Sequence, residues 1–148
     1  MIFIDSREKS RVPQLLENLG VPTERRTLSV GDYVILGPTR SSCITLKQCG
    51  DFLGSINSDH LNDELWQISN AYHHGVLIIF GNLDEAIIDR KIRRETYFQY
   101  TAGCIVHEDS VGTISVFNCS TFCSVTSSGI RSLTALILWI YTASIFCN

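Results

Sequence analysis

The chain has 148 residues, 45% of them hydrophobic and 18% charged. That is enough for one domain with a substantial core, and too apolar for an intrinsically disordered protein. Its 12 Lys and Arg against 15 Asp and Glu leave a net charge of -3, which excludes a protein held to nucleic acid by bulk positive charge, though not one with a local basic patch.

Met1–Ile4 is a short apolar run closed by Asp5-Ser6-Arg7-Glu8 and reads as a buried first strand. Ser10–Leu19 reads as a helix, with Val12, Leu15, Leu16 and Leu19 at helical spacing, Pro13 in the first turn and Gly20 as the stop. Val21–Leu28 is expected as a second strand, Val30-Gly31-Asp32-Tyr33 as a turn into a third at Tyr33–Leu36, Gly37–Ser42 as a loop, and Cys43–Leu46 as a fourth strand. A short helix over Asp51–Ile56 and another marked by Leu61, Leu65, Ile68 and Tyr72 follow. Gly75–Phe80 is apolar without alternation, which suggests a central strand buried on both faces. Arg93–His107 is expected as a helix, Ile114–Phe117 as a last strand and Ser128–Phe146 as a closing helix. The pattern is that of a three-layer α/β domain over residues 1–148, without linker or repeat.

The apolar run Leu133–Phe146 is shorter than the roughly 20 residues a bilayer crossing needs, and the four apolar residues before Asp5 are too few for a signal peptide. An intracellular location is expected, cytoplasmic in a prokaryote or nuclear in a eukaryote. The cysteines at 43, 49, 104, 119, 123 and 147 contain no Cys-x-x-Cys pair, so buried reduced thiols are expected rather than a zinc site. His73 and His74 are adjacent and would point about 100° apart on a helix, so they are read as a helix C-terminal pair and not as metal ligands. Trp66 and Trp139 are read as core or interface residues.

Acidic residues gather at strand ends: Asp5 and Glu8 after the first strand, Asp32 before the third, and Asp51 just beyond Lys47 at the end of the fourth. Hard cations such as Mg²⁺ favour carboxylate oxygens, and a neighbouring lysine can neutralise a phosphate, so the layout suits a metal-dependent phosphodiesterase. Carboxylates at strand ends are also ordinary solvated loop residues, and residue types alone leave both readings open.

Ile4-Asp5-Ser6-Arg7-Glu8, then Val30-Gly31-Asp32-Tyr33, then Lys47-Gln48-Cys49-Gly50-Asp51-Phe52-Leu53-Gly54-Ser55-Ile56 closely resemble the nuclease domain of the XPF family of structure-specific DNA endonucleases. That family's signature runs Asp-x-Arg-Glu, Gly-Asp-Tyr and Glu-Arg-Lys-x-x-x-Asp. The resemblance is close from Met1 to about Gly81 and continues to the C-terminus only in pattern. It implies a three-layer α/β/α restriction-endonuclease-like fold with a central mixed sheet. It also implies that Asp5, Glu8 and Asp32 serve as metal ligands or catalytic groups, that Lys47 is the catalytic lysine, and that Asp51 is the acidic residue closing the motif. The cofactor would be Mg²⁺ or Mn²⁺ in an active protein, and none in an inactive one.

The chain departs from that pattern where the family has Glu-Arg-Lys and this sequence has Thr45-Leu46-Lys47. Thr45 offers a neutral oxygen in place of an anionic ligand, and Leu46 can neither pair with a carboxylate nor hold a phosphate. His60 stands where an arginine is expected. The expectation is a degenerate, pseudo-nuclease member that serves as a DNA-binding or dimer-scaffold subunit acting on branched or forked DNA in repair or recombination. The alternatives are an active endonuclease and a protein-interaction module without DNA binding. Members of the family resemble one another in working as dimers. A homodimer, or a heterodimer with an XPF-like partner, would use the apolar C-terminal segment, including Leu136, Trp139 and Ile140; burial of that segment in its own core is the alternative. Arg90-Lys91-Ile92-Arg93-Arg94 is the densest basic run and, with Arg7, the candidate DNA contact; a solvated helix start is its plainer reading. No helix-hairpin-helix module, a usual companion of this nuclease domain, is expected within the 148 residues.

Overall fold

The computed structural model describes residues 1–55, 58, 60–103, 113–118 and 137. Its elements, in chain order, are β1 (Ile2–Asp5), α1 (Val12–Asn18), β2 (Thr23–Arg26), β3 (Tyr33–Leu36), β4 (Ser41–Gln48), α2 (Cys49–Ser55), α3 (His60–Ala71), β5 (His74–Phe80), α4 (Leu83–Arg90), α5 (Arg94–Gly103) and β6 (Thr113–Asn118). Six strands form one mixed sheet in the order β2-β1-β3-β4-β5-β6. β3 runs antiparallel to both β1 and β4, while the β1–β2, β4–β5 and β5–β6 pairs are parallel.

Side-chain alternation along the strands separates two cores. On one face, Ile2, Ile4, Tyr33, Ile35, Ile44, Val76 and Ile78 pack with Val12 and Leu16 of α1 and with Ile137. On the other, Leu77 and Ile79 meet Phe52 and Leu53 of α2, Leu61 and Leu65 of α3, Leu83 and Ala86 of α4, and Tyr97 of α5. A third cluster joins Val30, Val34 and Cys43 to Ile68 of α3. The α/β/α layering follows, and β5 is buried at Gly75 through Ile79 because helices cover it on both sides. Ile137 lies fully buried in the α1-side core; the rest of the expected closing helix, with Leu136, Trp139 and Ile140, lies outside the described residues.

Several boundaries differ from the sequence expectation. β4 begins at Ser41, two residues inside the expected loop, because Leu36 pairs with Ser41 and Ile35 with Ser42 across a hairpin whose loop is closed by the Gly37 amide on the Arg40 carbonyl (2.9 Å). Cross-strand pairing here overrides the weak strand preference of serine. β2 is shorter than Val21–Leu28, and its exposed Glu24, Arg25 and Arg26 line an open sheet edge, a charge pattern that discourages edge-to-edge pairing. α4 was not expected. Its start is defined by Asn82, whose side-chain oxygen accepts from the Asp84 and Glu85 amides (3.1 and 3.3 Å), and its end by Lys91 at φ 52°. The basic run is therefore a helix-to-helix turn rather than one helix start. The two histidines are not a helix-terminal pair either: α3 ends at Ala71, His73 Nδ1 lies against Ser41, and His74 opens β5. Trp66 is 58% exposed on α3, so it is not a core residue.

Cys43 and Cys49 are free and buried, and burial pushes their thiols up to about 12 and about 11, so neither is a nucleophile at neutral pH. Among the described residues no helix is long and apolar enough to cross a membrane.

Gly31 sits at φ 76° immediately before Asp32, and a Cβ there would overlap the Cys43 Sγ. Gly20 has a similar φ of 72° but open space around it. Gly31→Ala should therefore cost about 3 kcal/mol or more, combining left-handed strain with overpacking, whereas Gly20→Ala should cost about 1 kcal/mol. Urea denaturation of the two variants measures the difference.

Candidate functional site

The edge of the sheet at the C-terminal end of β1 gathers the motif residues. The Asp5 amide donates to the Asp32 carbonyl (2.8 Å) and the Asp32 amide to the Ile44 carbonyl (2.9 Å), so Asp32 is clasped between β1 and β4 just ahead of β3. Tyr33 and Ile44 point into the α1-side core. Thr45 and Lys47, odd-numbered along β4, consequently face α3. A cleft of about 730 Å³ opens over this edge, lined by Asp5, Glu8 and Asp32 from the sheet side and by His60, Asp63 and Glu64 from α3.

Asp5 is 2% exposed, and its carboxylate is fully engaged. Oδ1 accepts from the Arg7 amide (2.7 Å) and Arg7 Nε (2.8 Å), while Oδ2 accepts from Arg7 Nη2 (2.9 Å) and the Leu28 amide (3.0 Å). The Arg7 side chain holds the Asp5 carboxyl well below the usual carboxylate range, against the opposing effect of burial. Arg7 in turn is a bidentate partner of Asp5 that also donates to the Leu28 carbonyl (3.1 Å), although its side chain remains 71% exposed. The Asp-x-Arg part of the motif thus forms a structural clasp between β1 and the segment before β3.

Asp32 behaves in the opposite way. Burial raises its pKa to about 6, with the negative charges of Glu8 and Glu64 adding to the rise and a hydrogen bond from the Leu46 amide (2.7 Å) opposing it. The Thr45 hydroxyl lies 3.4 Å from Asp32 Oδ2 and 2.7 Å from Glu64 Oε1. A hydroxyl has one proton, so the short bond goes to Glu64 and the Asp32 contact is marginal. Lys47 Nζ lies 3.5 Å from the other oxygen of Glu64, with both side chains 17% exposed. Glu64 was not singled out in the sequence. Its only signal there is its spacing, three residues after Leu61 and four before Ile68, which puts it on the flank of the sheet-facing side of α3.

Leu46 contributes only its backbone to the site. Its side chain packs against the α1-side core, so an arginine lost at this position is not one that faced Asp32 from within the strand. Glu8 is half-buried, and its Oε1 accepts from the Ser10 amide (2.6 Å). Asp51 is exposed in the first turn of α2 and does not line the cleft. His60, the first residue of α3, does line it. Arg90, Lys91, Arg93 and Arg94 are exposed around the α4–α5 turn; Arg94 is ion-paired with Asp84, and the Arg90 guanidinium lies against Gly54 of α2.

Asp5, Glu8 and Asp32, the set expected to hold Mg²⁺ or Mn²⁺, line one cleft. Among the described residues no group of three or more His, Cys, Asp or Glu side chains is placed to hold an ion. Asp5 has both oxygens committed to Arg7 and Leu28, and Thr45 brings no negative charge to Asp32.

Because Asp32 binds its proton more tightly folded than unfolded, its charged form opposes folding, and its contribution to stability falls as pH rises from about 4 to about 6. Asp5 has the opposite sign: its stabilisation is present above the unfolded value near 4 and lost as pH falls below it. Asp32→Asn should accordingly stabilise the fold at pH 7 by on the order of 2 kcal/mol, and by much less near pH 4. Thermal melts of both proteins across this range measure the effect.

A family model described as the ERCC4 domain matches residues 4–139. The chain is 37% identical over 79 residues to the DNA repair endonuclease XPF of Cricetulus griseus, a match covering 53% of this chain and 8% of that protein. It is 31% identical over 85 residues to the 3'-flap repair endonuclease Xpf of Saccharolobus solfataricus, covering 57% of this chain and 35% of the relative. Among solved structures, XPF from Aeropyrum pernix superposes with a TM-score of 0.70 at 22% identity, covering 97% of this chain and 64% of that one. The same protein in complex with DNA gives 0.61 at 23% identity, covering 94% and 65%. With the family match running from the end of β1 past Ile137, the chain belongs to the ERCC4 domain family and carries the nuclease-type fold of XPF proteins.

Proposed function

We propose that this domain binds branched or forked DNA in repair or recombination while its own phosphodiester hydrolysis is impaired, and that it serves as a DNA-binding or scaffold subunit of an XPF-like dimer. The observation that carries the reading is Thr45. It occupies the β4 position facing Asp32 where the family signature has glutamate, and its hydroxyl is turned to Glu64. A missing anionic group in a hydrolytic centre removes several kcal/mol of transition-state stabilisation, on the order of 10²-fold in rate or more.

DNA contact is supported by the names of the relatives, which are repair endonucleases, and by the DNA complex of the Aeropyrum pernix protein. It is supported in this chain by the exposed Arg90, Lys91 and Arg93 around the α4–α5 turn. Among the described residues Lys91 and Arg93 have no ion-pair partner and are the better phosphate contacts, whereas Arg94 and Arg7 are held by Asp84 and Asp5.

Anisotropy titrations with a labelled forked duplex, together with a nicking assay in Mg²⁺ or Mn²⁺, test both halves. Salt-sensitive binding without nicking is expected, and Lys91→Ala/Arg93→Ala should lower the salt slope by about 2. Robust metal-dependent nicking that Asp32→Ala abolishes contradicts the impairment. Lack of any DNA affinity at low salt contradicts the DNA-binding role and favours a protein-interaction module.

A further inference from the structure

We propose that Glu64 of α3 replaces the motif glutamate lost at Thr45, acting as the anionic partner of Lys47 and the acceptor for Thr45, so that protein groups alone balance this site. The inference deepens the reading of an impaired centre by naming the residue that maintains it.

The geometry is two-pronged. Glu64 Oε1 accepts from the Thr45 hydroxyl at 2.7 Å, and Oε2 lies 3.5 Å from Lys47 Nζ. Thr45 and Lys47 are two residues apart on β4 and share the face that looks toward α3, so a single carboxylate descending from the helix meets both. Lys47 and Glu64 are each only 17% exposed. A half-buried ammonium without a counter-charge is strongly disfavoured, which distinguishes this pair from an ordinary surface ion pair. A glutamate at 45 would bring its own carboxylate to the floor beneath Glu64 and beside Asp32. Threonine at 45 and glutamate at 64 are therefore a matched pair: a short side chain on the strand leaves space for a long acidic one from the helix.

The consequence is strong non-additivity in a double-mutant cycle. Thr45→Glu in the native background should lower the melting temperature by about 3 °C or more, because three carboxylates then crowd one lysine. In the Glu64→Gln background the same change should cost little or raise it. Should Thr45→Glu fail to fold, the Lys47→Met and Glu64→Gln cycle decides instead: Lys47→Met should cost markedly less once Glu64 is neutral. The Lys47 ammonium signal in a ¹⁵N-resolved spectrum supplies an independent readout, since pairing with Glu64 slows its proton exchange and Glu64→Gln should accelerate it. Additive losses in the cycle that folds, or a Lys47 signal unchanged by Glu64→Gln, overturn the proposal. None of these measurements involves DNA, so their failure would leave DNA binding by the domain untouched.

Discussion

The backbone of Asp32 donates to Ile44 on β4 and accepts from Asp5 on β1, while its carboxylate accepts from the Leu46 amide. One residue thus ties three strands at a single sheet edge. The residue before it, Gly31, adopts a positive φ in contact with Cys43, a conformation and a space that only glycine satisfies. The groups that meet at this point follow from the clasp and from strand register. Asp5 is registered against Asp32 through the backbone, Thr45 and Lys47 follow from the β4 register, and α3 is seated over them by Leu61, Leu65 and Ile68.

Charge around the clasp is disposed in two compartments. Asp5 and Arg7 form a closed pair that buries a carboxylate at little cost, because every oxygen lone pair on one side of it has a donor. Asp32, Glu8 and Glu64 form an acidic group with Lys47 as the cation bonded to Glu64, and burial, with a smaller push from Glu8 and Glu64, raises the pKa of Asp32. In an XPF-type centre of the kind the motif resemblance implies, a divalent cation would offset such negative charge. Here Asp5 is held in a protein-internal pair with Arg7, Thr45 stands where that motif has a carboxylate, and Lys47 is paired with Glu64.

Much of this was legible in the sequence for identifiable reasons. β5 could be read because continuous apolar residues are needed where helices cover both faces, and α3 because Leu61, Leu65 and Ile68 repeat at helical spacing. The motif residues were legible as a set because Gly31 and Asp32 have local backbone requirements that leave a local signature. Glu64 was not, since it joins the site through tertiary packing of α3, and a glutamate at the flank of an apolar helix stripe looks like any solvated residue. The role of Leu46 was also hidden. Only the pairing of Tyr33 with Ile44 shows that the side chain at 46 points to the opposite core. α4 escaped notice although Asn82, Asp84 and Glu85 carry a cap and acidic first turn; the helix expected from Arg93 corresponds to α5, which begins at Arg94.

The central claim is that this edge is balanced by the protein's own groups rather than by a divalent cation. Titration of the labelled chain with Mn²⁺, followed by paramagnetic broadening of the Asp5, Asp32 and Leu46 amide signals, addresses it most directly. The account predicts no saturable broadening centred on these residues at sub-millimolar Mn²⁺. Saturable broadening centred on Asp32 and lost in Asp32→Asn would contradict it and return the site to metal-dependent chemistry.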